Sequence, residues 1–515
     1  MSKAQKRHQP PKRTFFKPLR STAFNVKYDF RHKLYPILHA LSKLGLLFSA
    51  ILLLPALVSY IYDDGLLHTY LTSSAFAALI TASTWIITQK YQRELKPRDG
   101  ITFVVLLWII FALVACLPFY IHFPYITFTD AFFESISGLT TTGATIMTGL
   151  DSLAPSLNFW RHFLNWIGGM GIIILAVAIF PLLGLGGVQL YKGEMPGFQS
   201  DNNKLAPQIT KIAKHLWFVY VFLTFLCILS LKLAGMNWLD AVCHALSTLS
   251  LGGFSTHDHS IAYFDSVAIE MVLCVFMLLA IMNFTTHFFA FKTKKLSFYK
   301  NDQEAKYAFA ILFTSIILAA LYLWLKNIYS FSESFRHVFF NYVSIGTTAG
   351  FMGANYTVWP PVIALWMLFL GTFISGSGST GGGIKMARAI VLFKFSVREM
   401  ILLLHPNAVR TVKINNSPVS ERMAFSTLAF IFVYFITIIL FSFALMLSDL
   451  DFFSSFSAAI SCITNNGTGL GIIDATHNFA SLTAYQKWVC MLAMLMGRME
   501  IFTILILFTP AYWRK

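Results

Sequence analysis

Ten apolar runs, each long enough to cross a lipid bilayer, dominate this chain. They lie at 35–62, 66–88, 101–123, 157–183, 215–233, 267–291, 307–325, 359–395, 423–447 and 485–508. A hydrocarbon core of ~30 Å takes ~20 helical residues, and inside lipid every backbone polar group must find a partner within the protein. The runs are therefore read as transmembrane helices, and the fold class as an all-α membrane protein. Only 12% of residues are charged, against roughly 25% in soluble domains. No polar stretch long enough for a separate soluble domain interrupts the runs, and no nucleophile and base fall at a catalytic spacing, so an enzyme is not expected. The six cysteines lie in or beside apolar runs without metal-ligand spacing, and read as small apolar fillers.

The net charge of +16 could indicate nucleic acid, but its distribution along the chain follows the positive-inside rule instead. The tail 1–34 is strongly basic and lacks the apolar core of a cleavable signal, so it reads as a cytoplasmic segment facing lipid headgroups. With the tail inside, the connections 89–100, 191–214, 292–306 and 396–422 are cytoplasmic, and each carries several Lys or Arg. The opposite connections carry mainly Asp and Glu. Both termini are expected in the cytoplasm.

From the third run onward the outer connections share one design. They read DAFFESISGLTTTGAT from Asp130, DAVCHALSTLSLGGFST from Asp240, SFRHVFFNYVSIGTTAGF from Ser334 and FFSSFSAAISCITNNGTGLG from Phe452. Each is a half-length apolar segment followed by hydroxyl or amide residues and glycine, recurring about every 110 residues. The unit is span, re-entrant half-helix, glycine loop, span, repeated four times around a central pore, after two extra N-terminal helices. The expected divisions are a tail at 1–34, leading helices at 35–100, and repeats at 101–214, 215–302, 303–418 and 419–515.

Backbone at membrane depth is tolerated only where protein buries it or water lines it. Four such loops about one axis would supply carbonyl oxygens that replace an ion's hydration shell, with half-helix C-terminal dipoles favouring cations. Ungapped alignment gives the triplets Thr141-Thr142-Gly143, Ser250-Leu251-Gly252, Thr348-Ala349-Gly350 and Asn465-Asn466-Gly467, with Gly253 and Gly469 as rival glycines in the second and fourth loops. No Asp or Glu lies among them, which points to a filter for a monovalent cation rather than calcium.

The stretch SGSGSTGGGIK, from Ser375, spells G-x-G-x-x-G. It lies inside an apolar run rather than between a strand and a helix, and Met386 follows Lys385 where a phosphate-binding loop needs Ser or Thr, so a nucleotide site is not expected. Glycines 376, 378, 381, 382 and 383 each cost a helix about 1 kcal/mol relative to alanine, enough to break the span. Arg498 is a second interruption of apolar character, and an intramembrane arginine usually faces a partner or water.

These features resemble the Trk/Ktr/HKT potassium transporter superfamily, most closely its bacterial TrkH branch. The resemblance spans nearly everything after about residue 35 and includes TTTGAT at Thr140, WRHFLNWIGGMGI at Trp160, GVQLYKGEMPG at Gly187, LGGFSTHD at Leu251, TTAGF at Thr347, GSTGGGIK at Gly378, HPNAVR at His405 and GRMEIFT at Gly497. It implies potassium uptake across a bacterial inner membrane, with potassium ions in the pore and no tightly bound cofactor. It implies a homodimer and a cytosolic TrkA-like nucleotide-binding ring docking on the basic connections, chiefly 396–422. It also implies that the loop 375–385 is a gate below the filter, with Gly376, Gly378, Gly381, Gly382, Gly383, Lys385 and Arg498 as its parts, and that Gly143 accords with potassium-selective members. The alternative function is a symporter coupling potassium to protons or sodium, which requires an ionisable midplane residue besides Arg498.

Weaker readings concern four other places. His257 and His259 read as an outer turn more readily than as a metal pair. Glu134 either attracts cations or orients its half-helix. Trp160 and Arg161 read as an interfacial anchor, and Lys385 as a gate partner of Arg498 or a snorkelling residue.

Overall fold

The computed structural model describes residues 26–93, 95–174, 205–414, 417–474 and 477–513. The basic tail up to residue 25, the end of the fourth apolar run, the GVQLYKGEMPG motif and most of the connection 191–214 lie outside these residues.

Among the described residues six helices are long and apolar enough to span a membrane: Leu34–Tyr62, Leu67–Tyr91, Arg98–His122, Ala213–Leu233, Gln303–Leu325 and Glu421–Met446. The first two form a leading hairpin, tied to the repeats where the Asp64 carboxylate accepts the Ser156 backbone N–H at 2.9 Å. The remaining four open the repeats. Among the described residues the only strands are a two-residue antiparallel pair, Lys413–Ile414 with Ser417–Pro418, in the connection 396–422.

The second spans depart from the expectation of uniform crossings. Val267–Ala280 and Phe284–Thr293 meet at 94°, and Ala484–Arg498 and Ile501–Phe508 at 112°. The third repeat's second span is fully interrupted between Pro361–Leu370 and Met386–Leu404. Apolar periodicity shows length but not direction, so runs 267–291 and 485–508 looked continuous.

Four half-helices occupy the centre: Phe128–Leu139, Trp238–Ser250, Phe331–Gly346 and Phe452–Thr464. Each begins at a polar cap. Thr127, Asn237, Ser330 and Asp451 accept the backbone N–H three residues on, which satisfies an orphan donor of the first turn. The second span of each repeat packs on the half-helix of the next repeat, and the fourth repeat's second span packs on the first half-helix. The four quarters thus close into a ring about one axis.

Candidate functional site: a ring of four glycine loops

All four half-helices end in the same way. Thr141, Leu251, Thr348 and Asn465 adopt left-handed backbone with φ of 53°, 55°, 66° and 55°. Each donates its N–H three residues back, and the following residue donates five back: Thr142 to Ser137 (2.9 Å), Gly252 to Ser247 (2.9 Å), Ala349 to Ser344 (2.8 Å) and Asn466 to Ser461 (2.9 Å). This paired closure satisfies the terminal carbonyls and turns the chain sharply out of the helix. Glycine normally takes the left-handed position, so threonine and leucine there store strain on the order of 1–2 kcal/mol each.

The left-handed backbone recurs two residues on, at Gly143, Gly253, Gly350 and Gly467, with φ of 77°, 70°, 78° and 73°. A Cβ on Gly143 would collide with the Gly252 carbonyl oxygen, one on Gly253 with that of Ala349, one on Gly350 with that of Asn466, and one on Gly467 with that of Thr142. Each loop's glycine therefore abuts the carbonyl preceding the next loop's glycine, from first to second, third, fourth and back to first. Backbone oxygens gathered in this way, with four half-helix C-termini behind them, can offer a cation dipoles in place of water.

Side chains behind the ring hold each returning strand. Glu134 accepts the Ile146 N–H (3.0 Å) and the Thr145 hydroxyl (2.9 Å). A His244 ring nitrogen lies 2.9 Å from the Ser255 hydroxyl. Asn341 accepts the Gly353 N–H (3.1 Å), and Ser457 both accepts the Leu470 N–H (3.0 Å) and donates to its carbonyl (2.9 Å).

The glycine-rich segment crosses beneath the ring and touches the second, third and fourth quarters directly. The Gly376 N–H donates to the Ile281 carbonyl (3.0 Å), the Thr380 hydroxyl to the Leu249 carbonyl (2.9 Å), and the Gly382 N–H to the Thr348 hydroxyl (3.0 Å). A Cβ on Gly382 would strike the Thr464 carbonyl. Arg498, fully enclosed, donates to the Thr380 carbonyl (2.8 Å) and the Gly168 carbonyl (2.9 Å), which joins this segment to the first and fourth quarters. The Lys385 ammonium turns back onto the Gly381 carbonyl.

On the face of the ring opposite the glycine-rich segment His257 bridges two repeats, with Nδ1 2.5 Å from Asp151 and Nε2 3.3 Å from Asp240. Burial works to lower its pKa, but hydrogen bonds and charge from Asp240 and Asp151 outweigh that and hold it above the ordinary value. Burial works to raise the Asp240 pKa, yet bonds from His257 and Thr256 leave it depressed.

The sequence profile of TrkH, described as a cation transport protein, matches residues 68–515. The chain belongs to the TrkH family. The Trk system potassium uptake protein TrkH of Escherichia coli K12 is 42% identical over 475 residues, covering 92% of this chain and 98% of that protein. The Trk system potassium uptake protein TrkG of the same organism is 36% identical over 480 residues, covering 93% and 98%. The crystal structure of the potassium transporter TrkH from Vibrio parahaemolyticus superposes with a TM-score of 0.85 at 39% identity, covering 93% of this chain and all of that one. TrkH proteins are membrane transporters and not enzymes, in agreement with the expected absence of a catalytic arrangement.

Within this chain, three of the four aligned triplets share one backbone register. The second is displaced by one: Leu251-Gly252-Gly253 is the equivalent triplet, Ser250 closes the half-helix, and Gly253 takes the position assigned to Gly252. Consecutive glycines hid the shift, because either could supply the turn. In the fourth loop Gly467 holds the ring position. Gly469 lacks the left-handed backbone and packs on Ile473, its carbonyl accepting the Tyr356 hydroxyl at 3.1 Å.

Trp160 and Arg161 are not an interfacial anchor. Both are wholly buried, and Arg161 pairs with Glu134 at 2.7 Å. Glu500 pairs with Arg388 at 2.8 Å rather than with Arg498. Among the described residues no three or more His, Cys, Asp or Glu side chains cluster as metal ligands would, and His257 is engaged instead by Asp151 and Asp240. Sequence reasoning missed the supports His244, Asn341 and Ser457. Their signal was present, since Glu134, His244 and Asn341 each fall nine residues before a ring glycine.

Proposed function

We propose that this chain conducts potassium into the cell through the four-loop ring, acting as a selectivity filter whose coordinating groups are backbone oxygens at Thr141-Thr142-Gly143, Leu251-Gly252-Gly253, Thr348-Ala349-Gly350 and Asn465-Asn466-Gly467. The single observation that carries this reading is the closed sequence of contacts in which each glycine admits the neighbouring loop's carbonyl. The potassium specificity comes from relatives that are potassium uptake proteins over nearly the whole chain.

The segment containing Gly376, Gly378, Gly381, Gly382, Gly383 and Lys385 is the gate, and Arg498 holds it closed. Its position beneath the ring supports this: an ion leaving the ring inward meets this backbone and a buried guanidinium. The gate opens through a cytosolic TrkA-like nucleotide-binding ring acting on the basic cytoplasmic connections. The name Trk system, carried by the relatives, fits a multicomponent assembly. The working unit is a homodimer in a bacterial inner membrane with both termini in the cytoplasm, and potassium ions are the cargo.

Potassium and sodium fluxes through the purified protein in liposomes, at fixed voltage with and without a proton gradient, test this. Potassium flux that exceeds sodium flux and ignores the proton gradient is expected. Equal fluxes refute the filter, and a strict requirement for protons or sodium establishes coupled transport instead.

A further inference from the structure

One of the four supports behind the ring differs in kind from the others. Asn341 and Ser457 hold their strands through neutral groups. In the first repeat the support is the Glu134 carboxylate, paired with Arg161 at 2.7 Å, and both side chains are 0% exposed. Arg161 does not stop at Glu134. Its guanidinium donates to the Thr145 hydroxyl (3.1 Å) and to the Ser255 carbonyl (3.2 Å), and stands 4.3 Å over the Phe254 ring. Thr145 lies two residues beyond Gly143, and Ser255 two beyond Gly253. One ion pair thus grips corresponding points of two adjacent loops, behind the seam where Gly143 meets the Gly252 carbonyl.

A buried ion pair is a poor source of net stability, because matched apolar groups often do as well or better. It does impose direction, since a planar guanidinium whose N–H groups point in fixed directions to Glu134, Asn158, Thr145 and Ser255 accepts few geometries. We infer that Glu134 and Arg161 form a positioning pair that fixes the spacing of the first and second loops and thereby sets the discrimination between potassium and sodium. The inference rests on the filter reading above. A ring of dipoles prefers the larger ion only while it is kept from contracting around the smaller one, and here the restraint on one of its four seams is this pair.

A purely structural role and a positioning role predict different results for a matched neutral replacement. Glu134→Gln/Arg161→Met removes both charges together and leaves no uncompensated ion, so a folded protein is expected. Thr145→Val is milder: it deletes the hydroxyl shared by both partners and keeps the charges. Gly143→Ala reports on the ring itself, because its Cβ meets the Gly252 carbonyl. Each full-length variant is reconstituted in liposomes, and rubidium uptake is measured against competing sodium, a ratio that does not depend on how much protein is active. The positioning role predicts a loss of rubidium-over-sodium preference on the order of tenfold in the double variant and about threefold in Thr145→Val. If both stay within about twofold of the parent while Gly143→Ala loses preference, the pair is only structural and the inference is overturned. If Gly143→Ala also keeps full preference, the filter reading itself has failed. Should the double variant not fold, Thr145→Val decides alone.

Discussion

Two alanines placed two residues apart in the fourth loop should behave very differently. Gly467 has φ of 73°, and its added Cβ would lie 2.7 Å from the Ala144 nitrogen and 2.7 Å from the Gly143 carbonyl carbon, and closer still to the Thr142 carbonyl oxygen. None of these atoms can step aside cheaply, for Thr142 is anchored to Ser137 at 2.9 Å and the Thr145 carbonyl to Phe479 at 2.9 Å. The left-handed backbone costs alanine about 1–2 kcal/mol, and overpacking against fixed atoms costs about 1–3 more. Gly467→Ala should therefore destabilise by roughly 2–5 kcal/mol, or open the seam between the fourth and first loops. At Gly469 the nearest obstacles are Ile473 Cδ1 and Cγ1, the end of a flexible side chain. Swinging it off its rotamer costs roughly 0.5–1.5 kcal/mol. Thermal unfolding in detergent and rubidium uptake against sodium in liposomes measure both consequences. Gly467→Ala should lower the melting temperature and the ion preference, and Gly469→Ala should leave the preference intact. Equal effects on preference, or a fully selective Gly467→Ala, would refute the closed-ring reasoning.

Three other outcomes follow from the proposed gate and from the His257 bridge. Deleting Gly381 to Gly383 removes the backbone that contacts Thr347, Thr348 and Thr464, and should raise basal rubidium flux; unchanged flux in a folded deletion would remove the gate assignment. Arg498→Ala gives up two bonds, donated to the Thr380 carbonyl at 2.8 Å and the Gly168 carbonyl at 2.9 Å, and should likewise raise resting flux, with wild-type flux as the contrary result. The raised His257 pKa means that its bridge to Asp151 and Asp240 contributes fully below the ordinary histidine value of about 6.5 and is lost as pH rises through the folded value. The protection of backbone amides at residues 257–265, measured relative to their intrinsic exchange rate at each pH, should therefore fall above that range, and His257→Asn should abolish the fall.

How far the sequence reached depended on what kind of signal each feature leaves. Span length and repeat design are written in hydropathy, so the four half-helices and the interruption at 376–383 were legible. Direction is not: the 94° bend falls at the apolar step Ile281-Met282, and the 112° bend follows Arg498, which interrupts the apolar run without telling the angle. The ring triplets were legible because glycine must recur where the backbone is left-handed, and the register slipped only where Gly252 and Gly253 stand together. Arg161 was misread because an arginine beside a tryptophan at the end of an apolar run looks interfacial. Its partner Glu134 lies 27 residues away, and only the packed fold brings the two to 2.7 Å. Arg498 contacts the glycine-rich segment at the Thr380 carbonyl, but its partners are backbone carbonyls, which no side-chain pattern reveals.

The central claim is that the four loops present one shared set of backbone oxygens to a bare ion on the axis. Anomalous scattering from crystals soaked in rubidium tests it most directly. The account predicts density on the axis within coordination distance of carbonyls from all four loops, lost when sodium replaces rubidium. Density confined to the face near Asp151 and Asp240, or an axis filled by side chains, would contradict it.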